Sequence, residues 1–224
     1  MVYPNFNEEK KLWTKGYECV VGLDESGRGP LAGPVVAAAV SLDIATSDVV
    51  KKLLRLTSQD TGIRDSKKLS EKQREFFYEI LTNHKDMQWG IGVVSEKVID
   101  KINILEATKL AMQKAVDEWY HKNNNWRNYG TKGFLLIDGN FNINSKIPQA
   151  SIIKGDQKVF SISAASIIAK VTRDRIMQKM HKKYPKYGFE KHKGYGTKLH
   201  FDNLKNFGPC KIHRKSFSPI SELA

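Results

Sequence analysis

The chain has 224 residues, enough for one large domain or for one domain with a small appendage. Hydrophobic residues make up 40% of it, which excludes a disordered chain because that share can bury a core. Lys and Arg number 37 against 24 Asp and Glu; the resulting formal charge of +13 favours a polyanionic partner, although a basic enzyme of another kind carries such a charge too.

From the N-terminus, residues 1–13 show no apolar core of a targeting segment. Gly29 to Leu42 is uncharged, but it contains Pro30, Gly33 and Pro34 and is shorter than the roughly 18 residues a spanning helix needs. A soluble, cytoplasmic protein without a membrane partner is expected. Cys19 to Leu23 is a short apolar run that predicts a buried strand, and Val35 to Leu42 predicts a second. The Gly27–Gly33 stretch between them is a turn, so the pair should form an antiparallel hairpin. Ser70-Glu71-Lys72-Gln73 reads as a capping box opening a helix to about Asn83. Met87 to Ser95 alternates as a strand does. Ile104, Ala107, Ala111, Ala115 and Trp119 then recur at helical spacing, and the Asn123–Asn125 run and Gly130 should end that helix.

Phe134 to Ile137 and Ala150 to Ile153 predict two further strands, and Val159 to about Met180 a helix. Ser163, Ala164, Ala165 and Ser166 are small enough to let that helix pack closely. Strands interleaved with helices indicate an α/β domain with a mixed sheet flanked by helices. Much of the basic charge lies between Lys170 and Lys215, among several glycines. The chain is expected to divide into a main domain over residues 1–183 and, over 184–224, a largely helical or irregular basic appendage that reads as readily as a solvated face as a binding one. Cys19 and Cys210 have no metal-ligand spacing and form no disulfide framework.

Two apolar runs end in acid, at Asp24-Glu25 and at Asp138, and Asp156 follows a third. Ligand sites of open α/β sheets lie beyond strand carboxyl ends, so these carboxylates could meet there. Clustered acids repel, and a divalent cation with a preference for oxygen relieves the conflict. Two such ions about 4 Å apart can drive phosphodiester hydrolysis. Asp174, flanked by Arg173 and Arg175, is read instead as paired with a neighbouring charge. Neither a dinucleotide fingerprint nor a calcium loop survives inspection. Gly27 to Gly33 is one residue too long and leads into a strand, and Ile143 stands where a calcium loop needs glycine. His192 and His200 lack a zinc-like set of partners and are expected at the surface or in supporting positions.

Asp24-Glu25-Ser26-Gly27-Arg28-Gly29 resembles the Asp-Glu-Ala-Gly-Arg-Gly signature of the ribonuclease HII family. The likeness continues through Asp65-Ser66-Lys67-Lys68-Leu69, Leu136-Ile137-Asp138-Gly139, Lys154-Gly155-Asp156, the Ser163–Val171 stretch and His192-Lys193-Gly194-Tyr195-Gly196-Thr197. It implies a ribonuclease H-like fold with a C-terminal helical extension, so that residues 1–183 are the catalytic domain and 184–224 bind substrate. It also implies an endonuclease acting on the RNA strand of RNA–DNA hybrids, including single ribonucleotides embedded in duplex DNA. Asp24, Glu25, Asp138 and Asp156 carry over as catalytic carboxylates holding two Mg²⁺ or Mn²⁺ ions. Gly27, Arg28, Gly29 and Tyr195 carry over as readers of the ribonucleotide. Lys67 is expected to contact the substrate backbone, and the protein is expected to work as a monomer. Ser26 departs from the signature, adding a hydroxyl where alanine is usual.

Overall fold

The structure, a computed structural model, describes residues 4–42, 63, 66–122 and 132–223. Asp65 of the Asp65–Leu69 motif and the Asn123–Asn125 and Gly130 helix stop lie outside the described residues. Strands β1 (Cys19–Ser26), β2 (Val35–Leu42), β3 (Met87–Val94), β4 (Gly133–Asp138) and β5 (Gln149–Ile152) form one sheet in the order β3-β2-β1-β4-β5. β1 and β2 are the expected antiparallel hairpin and β3 continues antiparallel, whereas β4 and β5 run parallel to β1. The sheet is therefore mixed, as the sequence predicts.

Helices α2 (Glu71–Asn83), α3 (Glu96–Lys122) and α4 (Phe160–Lys183) flank the sheet, preceded by α1 (Asn7–Thr14). Period-2 alternation decides which strand residues meet which helix. Val21, Leu23, Leu135 and Ile137 share a core with Ala111, Ala115 and Trp119 of α3. Val20 and Leu136 point the other way and pack on Ile162 of α4. α3 lies so close to β3 that a Cβ on Gly92 would come 1.8 Å from the Ala111 carbonyl oxygen. The helix is also longer than its apolar repeat, and it is broken at Asn103. There φ is +65°, and the Asn103 side chain accepts from the Leu105 and Glu106 N–H groups, capping the second segment. The capping box at Ser70 is formed as expected.

The polar-aromatic pattern of the N-terminus gives no warning of α1. Its buried Glu9 accepts from both the amide and the hydroxyl of Ser161, satisfying an otherwise open N–H in the first turn of α4. Beyond α4, the chain forms α5 (Phe189–His192), α6 (Lys198–Phe207) and α7 (Ile220–Leu223). This segment returns to the β1–β2 turn through backbone bonds from Leu31 to Gly194, Gly33 to Ile212 and Arg214 to Leu31. Leu31, Met177, Tyr187, Phe189, Leu204 and Ile212 bury a separate apolar cluster at that junction.

Candidate active site

Register places the acids. Leu23 pairs with Ile137 in the parallel β1–β4 ladder, so the next residues, Asp24 and Asp138, stand side by side on the α4 face of the sheet. Asp156 arrives from a short 3₁₀ turn, Gly155–Gln157, after β5. That turn is tied to the end of β4, because Gly155 N–H donates to Asp138 Oδ1 at 2.7 Å. A Cβ on Gly155 would come 2.6 Å from Ile162 Cδ1 and 3.4 Å from Asp138 Oδ1, so the turn packs tightly against both. Each of the three aspartates offers a carboxylate oxygen within 4.8 Å of the others.

Glu25 is the exception among the four predicted acids. As the neighbour of Asp24 in a strand, it projects toward the opposite face, and it falls outside the cluster of three. Its Oε1 lies 3.5 Å from Arg28, and its Oε2 is buried with no hydrogen-bond partner among the described residues.

Electrostatics follow from this crowding. Burial, then the charges of Glu25 and Asp138, hold the Asp24 carboxyl well above the usual carboxylate range, against a hydrogen bond from Ser166. Burial raises Glu25 to about 7 despite Arg28. Asp138 is also raised by burial, opposed by the Gly155 amide and by Lys67. Acids held this far toward protonation are suited to a divalent cation, which would restore their charged forms.

A cleft of about 320 Å³ opens beside the cluster, lined by Asp24, Glu25, Gly27, Arg28, Gly29, Lys67 and Tyr195. All five predicted substrate contacts therefore reach one site. Gly27 has φ +102°, and a Cβ there would strike the Arg173 side chain at 2.1 Å. Gly29 has only Tyr195, 4.0 Å away, and leaves open room toward the cleft. Tyr195 is 40% exposed, and its ring sits 5.9 Å from the Lys170 ammonium and 5.8 Å from the Arg173 guanidinium. Asp174 is paired with Lys170 at 2.7 Å, as read from the sequence, and stays out of the acid cluster.

Several contributors escape sequence reasoning. Ser66, Ser166 and Lys170 line the same cleft. Two buried arginines hold the Gly27–Pro34 turn from behind. Arg173 donates to the carbonyls of Ala32, Pro34 and Lys193, and Arg214 to those of Gly27, Arg28 and Gly33. Only a run of basic residues marks them in the sequence, and such runs usually face water. His192 and His200 are buried together with His213, so of the two placements expected for the first pair the surface is excluded and the supporting one remains.

A protein-family model described as Ribonuclease HII matches residues 21–220. Ribonuclease HII of Chlamydia trachomatis serovar A is 50% identical over 220 residues, covering 96% of this chain and 91% of its own. Ribonuclease HII of Acetivibrio thermocellus is 50% identical over 210 residues, covering 94% and 73% respectively. Among solved structures, ribonuclease H2 from Pyrococcus horikoshii OT3 superposes with TM-score 0.66 at 26% identity, over 92% of this chain and 96% of that one. Sheet, helices and sequence agree, and the chain belongs to the ribonuclease HII family.

Proposed function

We propose that this ribonuclease is an endonuclease that hydrolyses the RNA strand of RNA–DNA hybrids and also cuts at single ribonucleotides embedded in duplex DNA, leaving 3′-hydroxyl and 5′-phosphate ends. The observation that carries this reading is the convergence of Asp24, Asp138 and Asp156 beside the Gly27–Gly29 turn. Asp24 and Asp138 would hold a pair of Mg²⁺ or Mn²⁺ ions, with Glu25 and Asp156 completing their surroundings. The unpartnered buried oxygen of Glu25 and the raised carboxyls of Asp24 and Asp138 fit such an occupant. Once bound, the ions supply activation of water and stabilisation of the leaving oxygen.

The remaining work falls to the protein's own groups. Gly27, Arg28 and Gly29 bring backbone against the sugar, where a 2′-hydroxyl can be read as donor and acceptor. That hydroxyl is recognised and is not the nucleophile. Tyr195 lays its ring against the neighbouring nucleotide. Lys67 and the basic extension over residues 184–224 grip the phosphates. Action as a cytoplasmic monomer in ribonucleotide excision is part of the same reading; among the described residues, no helix is long and apolar enough to cross a membrane.

The test is cleavage of a duplex carrying one ribonucleotide, compared with an all-DNA duplex of the same sequence, with and without Mg²⁺. Metal-dependent cutting of the first alone is expected. Equal cutting of both would overturn the ribose reading, and tight binding without any cutting would overturn the nuclease.

A further inference from the structure

Three buried imidazoles lie behind the cleft, and the catalytic proposal uses none of them. Their hydrogen bonds leave little freedom in where the protons sit. The Cys210 N–H donates to His213 Nδ1 at 2.8 Å, the shorter of that nitrogen's two contacts with Cys210, whose carbonyl lies at 3.3 Å, and this favours the proton of that ring on Nε2. His213 Nε2 faces His200 Nε2 at 3.0 Å, and His200 Nδ1 faces the Tyr195 carbonyl oxygen at 3.0 Å. A carbonyl only accepts, so His200 carries its proton on Nδ1 and accepts on Nε2. Both ends of the chain of bonds thus favour the same tautomers, and one neutral arrangement satisfies every group.

His192 works on the other flank. Its Nδ1 accepts from Gly194 N–H at 3.1 Å, its Nε2 donates to the Tyr187 carbonyl at 2.7 Å, and its ring stacks on His200 at 4.4 Å. Its own carbonyl accepts from the Tyr195 N–H at 2.9 Å. Both peptide groups of Tyr195 are therefore held by histidines, with a second bond to the Tyr195 carbonyl from Thr197 N–H. The residue they hold sits between Gly194 and Gly196, where a backbone left to itself would be permissive.

We propose that His213 and His200 form a fixed-tautomer relay that positions Tyr195 over the cleft, making them positioning residues for the sugar-reading step. The inference rests on the reading of Tyr195 given above. The relay acts through the Tyr195 carbonyl, while the ring stays free to meet a nucleotide. Burial lowers both imidazoles to about 4, so the neutral arrangement persists across the neutral range.

The experiment is a double-mutant cycle on single-turnover cleavage at one embedded ribonucleotide in Mg²⁺. His213→Phe keeps a ring against Tyr187 and Phe189 but removes both nitrogens. Leaving His200 Nε2 and the Cys210 amide unpaired should slow cleavage about tenfold in the wild-type background, as loss of about one buried hydrogen bond does. In a Tyr195→Ala background the same substitution should add almost nothing, because its target is gone. His213→Gln, whose amide reaches His200 as Nε2 does, should restore most of the rate. His213→Asn is too short to reach His200 and should not, and this pair decides the matter should His213→Phe fail to fold. An equal loss in both backgrounds, or equal rates for the Gln and Asn variants, would overturn the relay. A normal rate for Tyr195→Ala alone would instead overturn the role given to Tyr195, and the relay with it.

Discussion

Arg214→Met separates the contribution of the C-terminal segment from that of the acids. The wild-type guanidinium is fully buried and donates to three carbonyls of the β1–β2 turn: Gly27 at 2.6 Å, Arg28 at 2.9 Å and Gly33 at 3.0 Å. It also lies 5.0 Å from the Phe217 ring. Burial lowers its pKa to about 9, which leaves it charged at neutral pH. Each bond from a charged donor contributes about 1.5–3 kcal/mol, so three amount to roughly 5–9 kcal/mol gross. Against this stands the desolvation of the guanidinium, several kcal/mol, which methionine does not incur. The expected net loss is about 2–4 kcal/mol, read as a lower urea midpoint with unchanged slope. Cleavage at a single ribonucleotide should fall with it, even where the variant is fully folded, because the Gly27–Gly29 backbone loses its support. An unfolding free energy within about 0.5 kcal/mol of wild type would refute the argument, since desolvation would then cancel the three bonds. Full activity in the folded variant would mean that the turn holds its shape unaided.

Asp138→Asn should reduce cleavage by more than about a hundredfold in saturating Mg²⁺ while substrate binding persists, whereas Asp174→Asn should keep most of the turnover; normal turnover of the first would remove Asp138 from the site. Replacing the exposed Lys191 and Lys198 should lower the slope of log affinity against log salt by about 0.9 for each phosphate no longer neutralised, with the cut bond unchanged, as measured by duplex binding across a salt series. Gly92→Ala should cost about 3 kcal/mol or more in urea unfolding, because the new Cβ would meet backbone oxygen that cannot move without shifting α3.

Acid should also weaken the protein through the buried rings. His200 and His213 sit near 4 when folded, against 6.5 unfolded, so the unfolded chain binds more protons between those values. Their contribution is whole above pH 6.5 and is lost as pH falls toward 4, by about 3 kcal/mol per ring. The raised carboxyls of Asp24 and Glu25 act in the opposite sense, opposing the fold at neutral pH and relaxing in acid. The difference in unfolding free energy between wild type and His213→Gln cancels those carboxyls, and a difference independent of pH would mean that His213 is not held neutral.

The strand-end acids, the hairpin and the Ser70 cap were legible because each rests on a local pattern, apolar alternation or a capping box, that tertiary contacts did not override. The resemblance carried the sequence from there to Tyr195 and the Gly27–Gly29 turn. Other features were not legible, for reasons that are equally physical. The offset of Glu25 from the three aspartates depends on strand parity at one position, and a run of acids does not display it. α1 has no apolar repeat of its own and owes its place to Glu9 meeting the start of α4. The segment of α3 from Glu96 to Ile102 precedes the repeat that begins at Ile104, and it joins the rest across a positive φ at Asn103 that no apolar periodicity marks. Arg173 and Arg214 lie in a basic stretch that reads as readily as a solvated face, because their partners are backbone carbonyls, which leave no sequence signature.

The Leu23–Ile137 pairing ties chemical competence to correct assembly. Sliding β1 past β4 by one residue would turn Asp24 away from Asp138 and, in the same movement, turn Val21 and Leu23 out of the core beneath α3. A one-residue slip therefore cannot keep its core while scattering the acids. For an enzyme that cuts nucleic acid this is a safeguard, because a chain that assembles wrongly is left inert instead of cutting without discrimination.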